Sequence, residues 1–490
     1  MEDKKMNKNQ ENNMLNYRFL ARIVIEAETP LSVKSGEKSV TTNALVITDV
    51  NGLPYIPGSS IAGVIRHTWK ERHEADDSEN NLFGFQKGEN GFGSRLIFSE
   101  ARILNSKGEV MDGLLPPEAI SSDKLLKHYM ELPIRQHVRI NHFGTAEDNG
   151  KYDEQVVFAG TRFCFEMEML GNKNEETTFK ELLSILNHAS FRLGSGTRSG
   201  FGKIKVITIQ YASLSKDDKK YLEKSSNLEK CKNWYEESIT EAEEQAGWTK
   251  YKLTLQPDNF FLFGSGFGDE DADMTPVTEM KVSWKENLAE VKEHAYLLPS
   301  SSIKGAISHR VAYHYNRLTG IFADDFIFDG KNKDGKTISD YVGCKNDAVR
   351  LLLGSAGENN EEKLCGNVIF SDLHIERQNV CEKILNHVAI DRFTGGAIDG
   401  ALFSEKTVYG KNITPFTLEV CVNQANMEKR VKTLYKEEKN DDILNNAIEA
   451  LKATFKDLCN GLLPLGGGVN RGNGMFHGKW EVVTKEQKEV

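Results

Sequence analysis

The sequence predicts an α+β protein made of the same domain twice over, and two observations carry that reading. The first is an ordered internal repeat. PGSSIAGVIRH at 57–67 returns as PSSSIKGAISH at 299–309, LIFSEA at 96–101 as VIFSDL at 368–373, RINHFGTA at 139–146 as AIDRFTGGA at 389–397, and LGSGTRSGFGKIKV at 193–206 as LGGGVNRGNGMFHGKWEV at 465–482. Each copy is far longer than a solenoid repeat, so the chain holds two tandem globular units. The second observation is the order of periodicities inside each copy: strand, helix, strands, helix, strand. That order predicts a ferredoxin-like (RRM-like) sandwich with long insertions.

Each element follows from its pattern. YRFLARIVIEA at 17–27 and KYKLTLQ at 250–256 alternate as opening strands, and GKIKVITIQY at 202–211 and GKWEVV at 478–483 alternate as closing strands placed to pair with them. Apolar residues at helical spacing behind a serine predict helices that start at Ser60 and Ser302, with the serine as N-cap. A second helix per copy is expected in 179–191 and in 442–462. The resulting division is a disordered leader at 1–15, domain 1 at 16–212, a charged helical linker at 213–248 and domain 2 at 249–490.

Composition narrows the class. Hydrophobic residues make up 39% and charged residues 27% of 490, no run is apolar enough to span a bilayer, and the polar N-terminus lacks a secretory signal. A cytoplasmic protein without a membrane partner is expected. Seven cysteines with no CxxC pair argue against a disulfide framework and a structural zinc site. The net charge of −10 runs against nucleic-acid binding, yet much of the acid falls in peripheral stretches at 74–80, 236–245 and 436–442, which leaves room for a local basic groove.

Three repeated features could carry chemistry. The proline–serine turn before each first helix exposes backbone N–H groups and the hydroxyls of Ser59, Ser60, Ser301 and Ser302 at a positive dipole end, with Arg66 and Lys304 close by. Such a turn suits an anion, and it suits a plain helix cap equally. The blocks GSGTRSGFG and GGGVNRGNG let backbone approach a ligand and supply Arg198 and Arg471 for phosphate. Their third glycine comes one residue late for a dinucleotide fingerprint, they follow a helix and precede a strand, and they lack GK[ST]. The segments 135–158 and 386–409 offer Arg135, Arg139, His142 and Phe143, then His387, Arg392 and Phe393, before a glycine turn and a returning strand. That is a hairpin with a cationic, stackable edge of the kind single-stranded RNA uses, or else an exposed loop.

Together these blocks resemble the RAMP superfamily, and within it the backbone subunits of type III CRISPR effector complexes of the Csm and Cmr kinds. The resemblance spans both halves and implies, in each, a palm with a protruding thumb hairpin. It implies partners as well: a crRNA gripped at the helix and glycine loops, a complementary single-stranded target RNA kinked by the thumb, and the other subunits of the complex. In slicing members an Asp on the loop after the first strand cuts the target. Carried over, that position is Asn43 in the first copy, an amide that predicts an inactive site, with Asp49 displaced into the turn beyond. In the second copy it is Asp273, with Asp269 and Asp271 as competitors. RNA brings its own 2′-OH nucleophile, so one carboxylate, or the Mg²⁺ (or Mn²⁺) that Asp273 would bind, suffices beside an in-line linkage. The implied products are a 2′,3′-cyclic phosphate and a 5′-hydroxyl, and the implied activity is that of a metal-dependent endoribonuclease. The rivals are a non-catalytic crRNA scaffold and a precursor-crRNA processing endonuclease built on His67 or His309.

Overall fold

The computed structural model describes residues 15–39, 42–73, 78–188, 190–235, 237–238, 247–326, 330–333, 335–357, 363–410, 415–435 and 440–483. All but one residue of the expected leader lies outside them. The first domain runs β1 (Tyr17–Ala27), α1 (Gly58–Arg72), β2 (Leu96–Phe98), a hairpin of β3 (Ile134–Ile140) and β4 (Ala146–Gln155), β5 (Arg162–Gly171), α2 (Glu176–Ser184) and β6 (Ile204–Ser215). The second runs β7 (Trp248–Pro257), a hairpin of β8 (Thr278–Lys285) and β9 (Leu288–Leu298), α3 (Ser300–Leu318), β10 (Val368–Phe370), a hairpin of β11 (Val380–His387) and β12 (Phe403–Gly410), β13 (Phe416–Asn423), α4 (Asn440–Cys459) and β14 (Phe476–Val482).

The two main sheets have one plan. Strand order is β2–β5–β1–β6 in the first and β10–β13–β7–β14 in the second, antiparallel throughout, as in a ferredoxin-like sandwich. Opening and closing strands pair as the alternation predicts: Ile23 faces Ile209, and Leu253 faces Trp480. β1 is buried on both faces over most of its length because it is central and takes cover from α1 and α2 on one side. The helices bury residues one turn apart, Ile61, Ile65 and Trp69 in α1, and Ile303, Ile307 and Val311 in α3.

Two local expectations are corrected. The first helices start at Gly58 and Ser300, capped by Pro57 (φ −57°, ψ 139°) and Pro299 (φ −66°, ψ 126°) with no side-chain cap, so the serines lie inside the first turn. Proline already holds the φ a helix entry needs, which moves the start earlier. The described residues of 213–248 form no long helix. β6 extends to Ser215, single turns follow at 219–223 and 232–234, and Leu228, Cys231 and Tyr235 bury themselves on the outer face of the first sheet beside Leu20, Val24 and Leu214. The charges of that segment are surface decoration around an apolar anchor.

The domains are interlocked. The β8–β9 hairpin has no counterpart in the first copy, where a tight turn closes on the bond from Asp49 N–H to the Leu53 carbonyl (2.8 Å). It lies on the first domain, placing Val282 in that core with Met280, Trp284 and Ala289 around it. Val282 N–H donates to the Ala159 carbonyl at 2.8 Å, and Trp284 Nε1 donates to the Gly160 carbonyl at 2.7 Å. A Cβ at Gly160 would sit 1.8 Å from the Val282 carbonyl oxygen, so only glycine allows this approach. Beside it, buried Arg135 of β3 pairs with both Glu279 and Asp372 of the second domain, and His374 adds a contact to Glu279 at 3.4 Å. The repeat places Asp49, Glu100 and Arg102 where Glu279, Asp372 and His374 stand. There the acids are served from within the domain: Arg102 pairs with Glu100 and, at 3.2 Å, with Asp49.

Candidate nucleic-acid interface

The glycine blocks fold identically. Gly194, Gly196, Gly200 and Gly202 have φ of 84°, 67°, 107° and 73°, and Gly466, Gly468, Gly472 and Gly474 have 93°, 67°, 92° and 78°. Ser195 N–H donates to the Ser32 carbonyl and Gly467 N–H to that of Leu262; Gly202 N–H donates to Pro30 and Gly474 N–H to Phe260. In this register Arg198 matches Asn470 and Arg471 matches Ser199, so the two arginines are not counterparts. They do different things. Arg471 lies over the Phe403 ring and donates to Glu405 at 3.0 Å, whereas Arg198 has a buried Nε with no hydrogen-bond partner.

Arg198 lies close enough to Lys304 of α3, to Arg192 and to His67 and Glu71 of α1 for their charges to interact. Gly200 bridges to Ser371, and a Cβ on it would fall 2.0 Å from Ser300 Oγ. Asp372 accepts from Ser300 N–H at 2.8 Å and so satisfies a free donor at the start of α3. Three cations gather here. Burial pulls the Arg192 guanidinium down to about 10, and its Nε also lacks a partner. Burial first and then Arg198 lower Lys304 from its ordinary range. The hydroxyl of Ser300 is likewise buried and unpartnered, with Ser301 half-buried and Ser302 exposed on the same turn. Cations held close with unspent donors are arranged for an anion. The matching turn at Ser59 and Ser60 packs against β2, where a Cβ on Gly58 would lie 2.6 Å from the Phe98 carbonyl oxygen. Arg66 is turned away from it, donating to Glu79 at 2.6 Å and the Gly84 carbonyl at 3.2 Å. His67 sits against Glu71 at 3.4 Å on α1, which raises its pKa, and His309 is exposed on α3. Arg135 is removed from the interface altogether by the ion pairs of the domain junction.

The loops after β1 and β7 meet the hairpins at one corner per domain. Asn43 N–H donates to Asp153 Oδ1 at 2.6 Å, and Asp153 N–H donates back to Asn43 Oδ1 at 3.2 Å. Asp273 N–H donates to Ser404 Oγ at 3.1 Å, while the Ser404 N–H and hydroxyl donate to Asp273 Oδ2 at 2.7 and 2.9 Å. Reciprocal bonds to matching hairpin positions make Asn43 and Asp273 counterparts in space. The competitors are otherwise engaged: Asp269 holds Lys406 Nζ at 2.5 Å and the N–H groups of Asp271 and Ala272, and Asp271 faces the same ammonium at 3.4 Å. The Ser404 backbone N–H, then its hydroxyl, lower the Asp273 carboxyl, which keeps this exposed group ionised. The first hairpin reaches this loop, since a Cβ on Gly266 would lie 3.7 Å from Gln136 Cγ.

Under each corner lies a matched pair, of which the sequence reading named His387 and missed His137 and both glutamates. His137 stacks on Tyr152 at 4.7 Å and meets Glu154 at 3.3 Å; His387 stacks on Phe403 at 4.8 Å and meets Glu405 at 3.1 Å. The signal was present in HVRIN against HVAID and in YDEQ against FSEK. Burial pushes Glu154 up, but its contacts with His137 and with Lys34, at 3.0 Å, outweigh it and hold the carboxyl at about 2.

The hairpin tips repeat as well. Ile140 pairs with Ala146 and Ile390 with Ala397; Asn141 and Asp391 accept the N–H of Phe143 and Phe393 to form the turn. Phe143 is 78% exposed and Phe393 fully so, flanked by His142 and Arg392. Arg139 lies below the first tip, paired with Glu147 at 2.9 Å.

Among the described residues no three His, Cys, Asp or Glu side chains converge as a metal cage. A single free carboxylate fits Mg²⁺ all the same, because that ion is commonly held by one or two carboxylates together with substrate phosphates. No described helix is long and apolar enough to cross a membrane. No curated protein matches the chain. The family model of the RAMP superfamily matches residues 24–205 and again 294–477, most of both domains.

Proposed function

The chain belongs to the RAMP superfamily, and on that premise we propose that it is a two-domain backbone subunit of a type III CRISPR effector complex, binding crRNA with both domains and cutting complementary target RNA at Asp273. RAMP proteins generally work with RNA in CRISPR effector complexes. The observation that carries the reading is Asp273 itself: an ionised, exposed carboxylate fixed to Ser404, on the loop whose Gly266 meets Gln136 of the preceding domain's hairpin.

Each residue has a part in this reading. Arg198 and Lys304, with the first turn of α3, neutralise crRNA phosphates at the junction; Ser59 and Ser60 offer the same backbone donors at the first turn of α1. Phe143 and Phe393 stack on bases at the hairpin tips and splay the duplex, with His142 and Arg392 on the adjoining phosphates. Arg471, held over Phe403, borders the second corner. The splayed linkage comes to rest with its 2′-OH by Asp273, which takes the proton as the oxygen attacks phosphorus. Asp273 is also the residue that would hold a divalent cation such as Mg²⁺, which would supply positive charge against the charge developing on the phosphate.

The test is a complex purified with its guide and offered end-labelled complementary RNA. Wild type should leave a 2′,3′-cyclic phosphate at a defined position, and Asp273→Asn should slow that cut by about 100-fold or more while leaving target binding intact. Cutting that persists in the variant sinks the assignment, and absence of cutting in both supports the scaffold reading.

A further inference from the structure

The two corners hold the same groups with their positions exchanged. In the second domain the loop supplies the carboxylate, Asp273, and the hairpin supplies the hydroxyl of Ser404. In the first domain the loop supplies the amide of Asn43 and the hairpin supplies the carboxylate of Asp153. Asp153 and Ser404 occupy one place in the fold, each next in sequence to the buried glutamate, Glu154 or Glu405, that meets the stacked histidine below. The backbone bonds that span the corner are also kept: one from loop to hairpin and one from hairpin to loop in each domain. Each corner therefore presents one carboxylate at one junction, and replacing the loop acid by Asn43 does not empty the first of charge.

We propose that Asp153 is the cleavage carboxylate of the first domain, so that one chain cuts target RNA at two positions. The inference rests on the reading of the Asp273 corner as a cleavage site. Asn43 is exposed and Asp153 partly so, which leaves the corner open to a strand passing the hairpin. The step balances without a further reactant. The 2′-oxygen bonds to the adjacent phosphorus as its proton passes to the Asp153 carboxylate, the bond from phosphorus to the 5′-oxygen breaks, and the leaving oxygen takes a proton from water. Asn43 positions the base: its backbone N–H holds Asp153 Oδ1 and leaves Oδ2 free to turn toward the RNA.

The experiment uses the assembled complex with its guide and complementary RNA labelled at the 5′ end. Wild type should yield two cuts per chain, each with a 2′,3′-cyclic phosphate. Asp273→Asn should remove one, and Asp153→Asn should slow the other by about 100-fold while keeping an oxygen acceptor for the Asn43 N–H. The double variant Asn43→Asp with Asp153→Ser rebuilds the second corner in the first domain and should restore the lost cut, which a structural staple would not do. A single cut that depends on Asp273 and ignores Asp153→Asn overturns the inference and spares the reading beneath it. No cut in wild type overturns both.

Discussion

Arg135 reaches across the molecule to Asp372, a residue 237 positions later, and the same guanidinium also holds Glu279. Both acids are buried, Asp372 fully, and Asp372 in turn caps α3 through Ser300. One arginine thus ties the first hairpin to the helix start of the next domain. Arg135→Ala would leave two buried carboxylates without their cation, a loss of about 3–5 kcal/mol. Chemical denaturation should show it as a lower midpoint, and Arg135→Lys, which cannot serve both acids bidentately, should recover only part.

The glycine pair Gly200 and Gly472 separates backbone strain from contact. Both have left-handed φ, of 107° and 92°. A Cβ at Gly472 meets nothing within 4 Å, whereas at Gly200 it meets Ser300 Oγ and Asp372. Gly472→Ala should cost about 1–2 kcal/mol, the left-handed penalty alone. Gly200→Ala should cost about 3 kcal/mol or more, since overpacking adds to it. Equal losses in thermal or urea melts would mean that the junction yields.

Acid should loosen the first hairpin before it affects the cores. Glu154 titrates near 2 in the folded domain against 4.5 for the free side chain. A lowered folded pKa means its contribution is complete above about 4.5 and is lost as pH falls toward 2. Stability measured across that window should drop in wild type and flatten in Glu154→Gln. A Glu154→Gln profile as steep as wild type would contradict this.

The exposed tips carry no fold energy, so their substitution isolates RNA binding. Phe143→Ala and Phe393→Ala should leave melting temperatures unchanged and weaken binding of complementary RNA by roughly 5–100-fold each, the worth of a stacked base. Arg198→Ala should act on the guide instead, lowering the salt dependence of RNA retention by about one counterion.

Much of this was legible in the residues. The repeat placed four blocks in order, and the four blocks lie at matching points of two matching sheets because identical side chains face identical neighbours. Asn43 could be placed by counting back from the turn at Pro57, and Asp273 by the MTPV segment that follows it, since the insertion before Pro299 breaks the count. Other features resisted for physical reasons. The β8–β9 hairpin has no twin to be compared with, and its alternation is completed by another domain. Arg135 looks in sequence like any surface base, since burial depends on two acids far away. Arg198 and Arg471 offer the same group to phosphate in sequence, whereas the glycines with positive φ set a register in which they are not counterparts. Asp153 hid because the repeat was read for what recurs, and the corner preserves its contents by trading places.

Arg102 gives the chain a direction. The acids that the second domain leaves for an incoming arginine are already satisfied within the first, and the strand position of Arg135 is taken in the second hairpin by Leu385. The joint that fastens the halves therefore cannot be repeated by laying one copy behind another, for the tail brings a leucine to a lock whose key is already turned. A copy docked on the second hairpin would meet Leu385 in place of that arginine, and would have to be held by other chemistry.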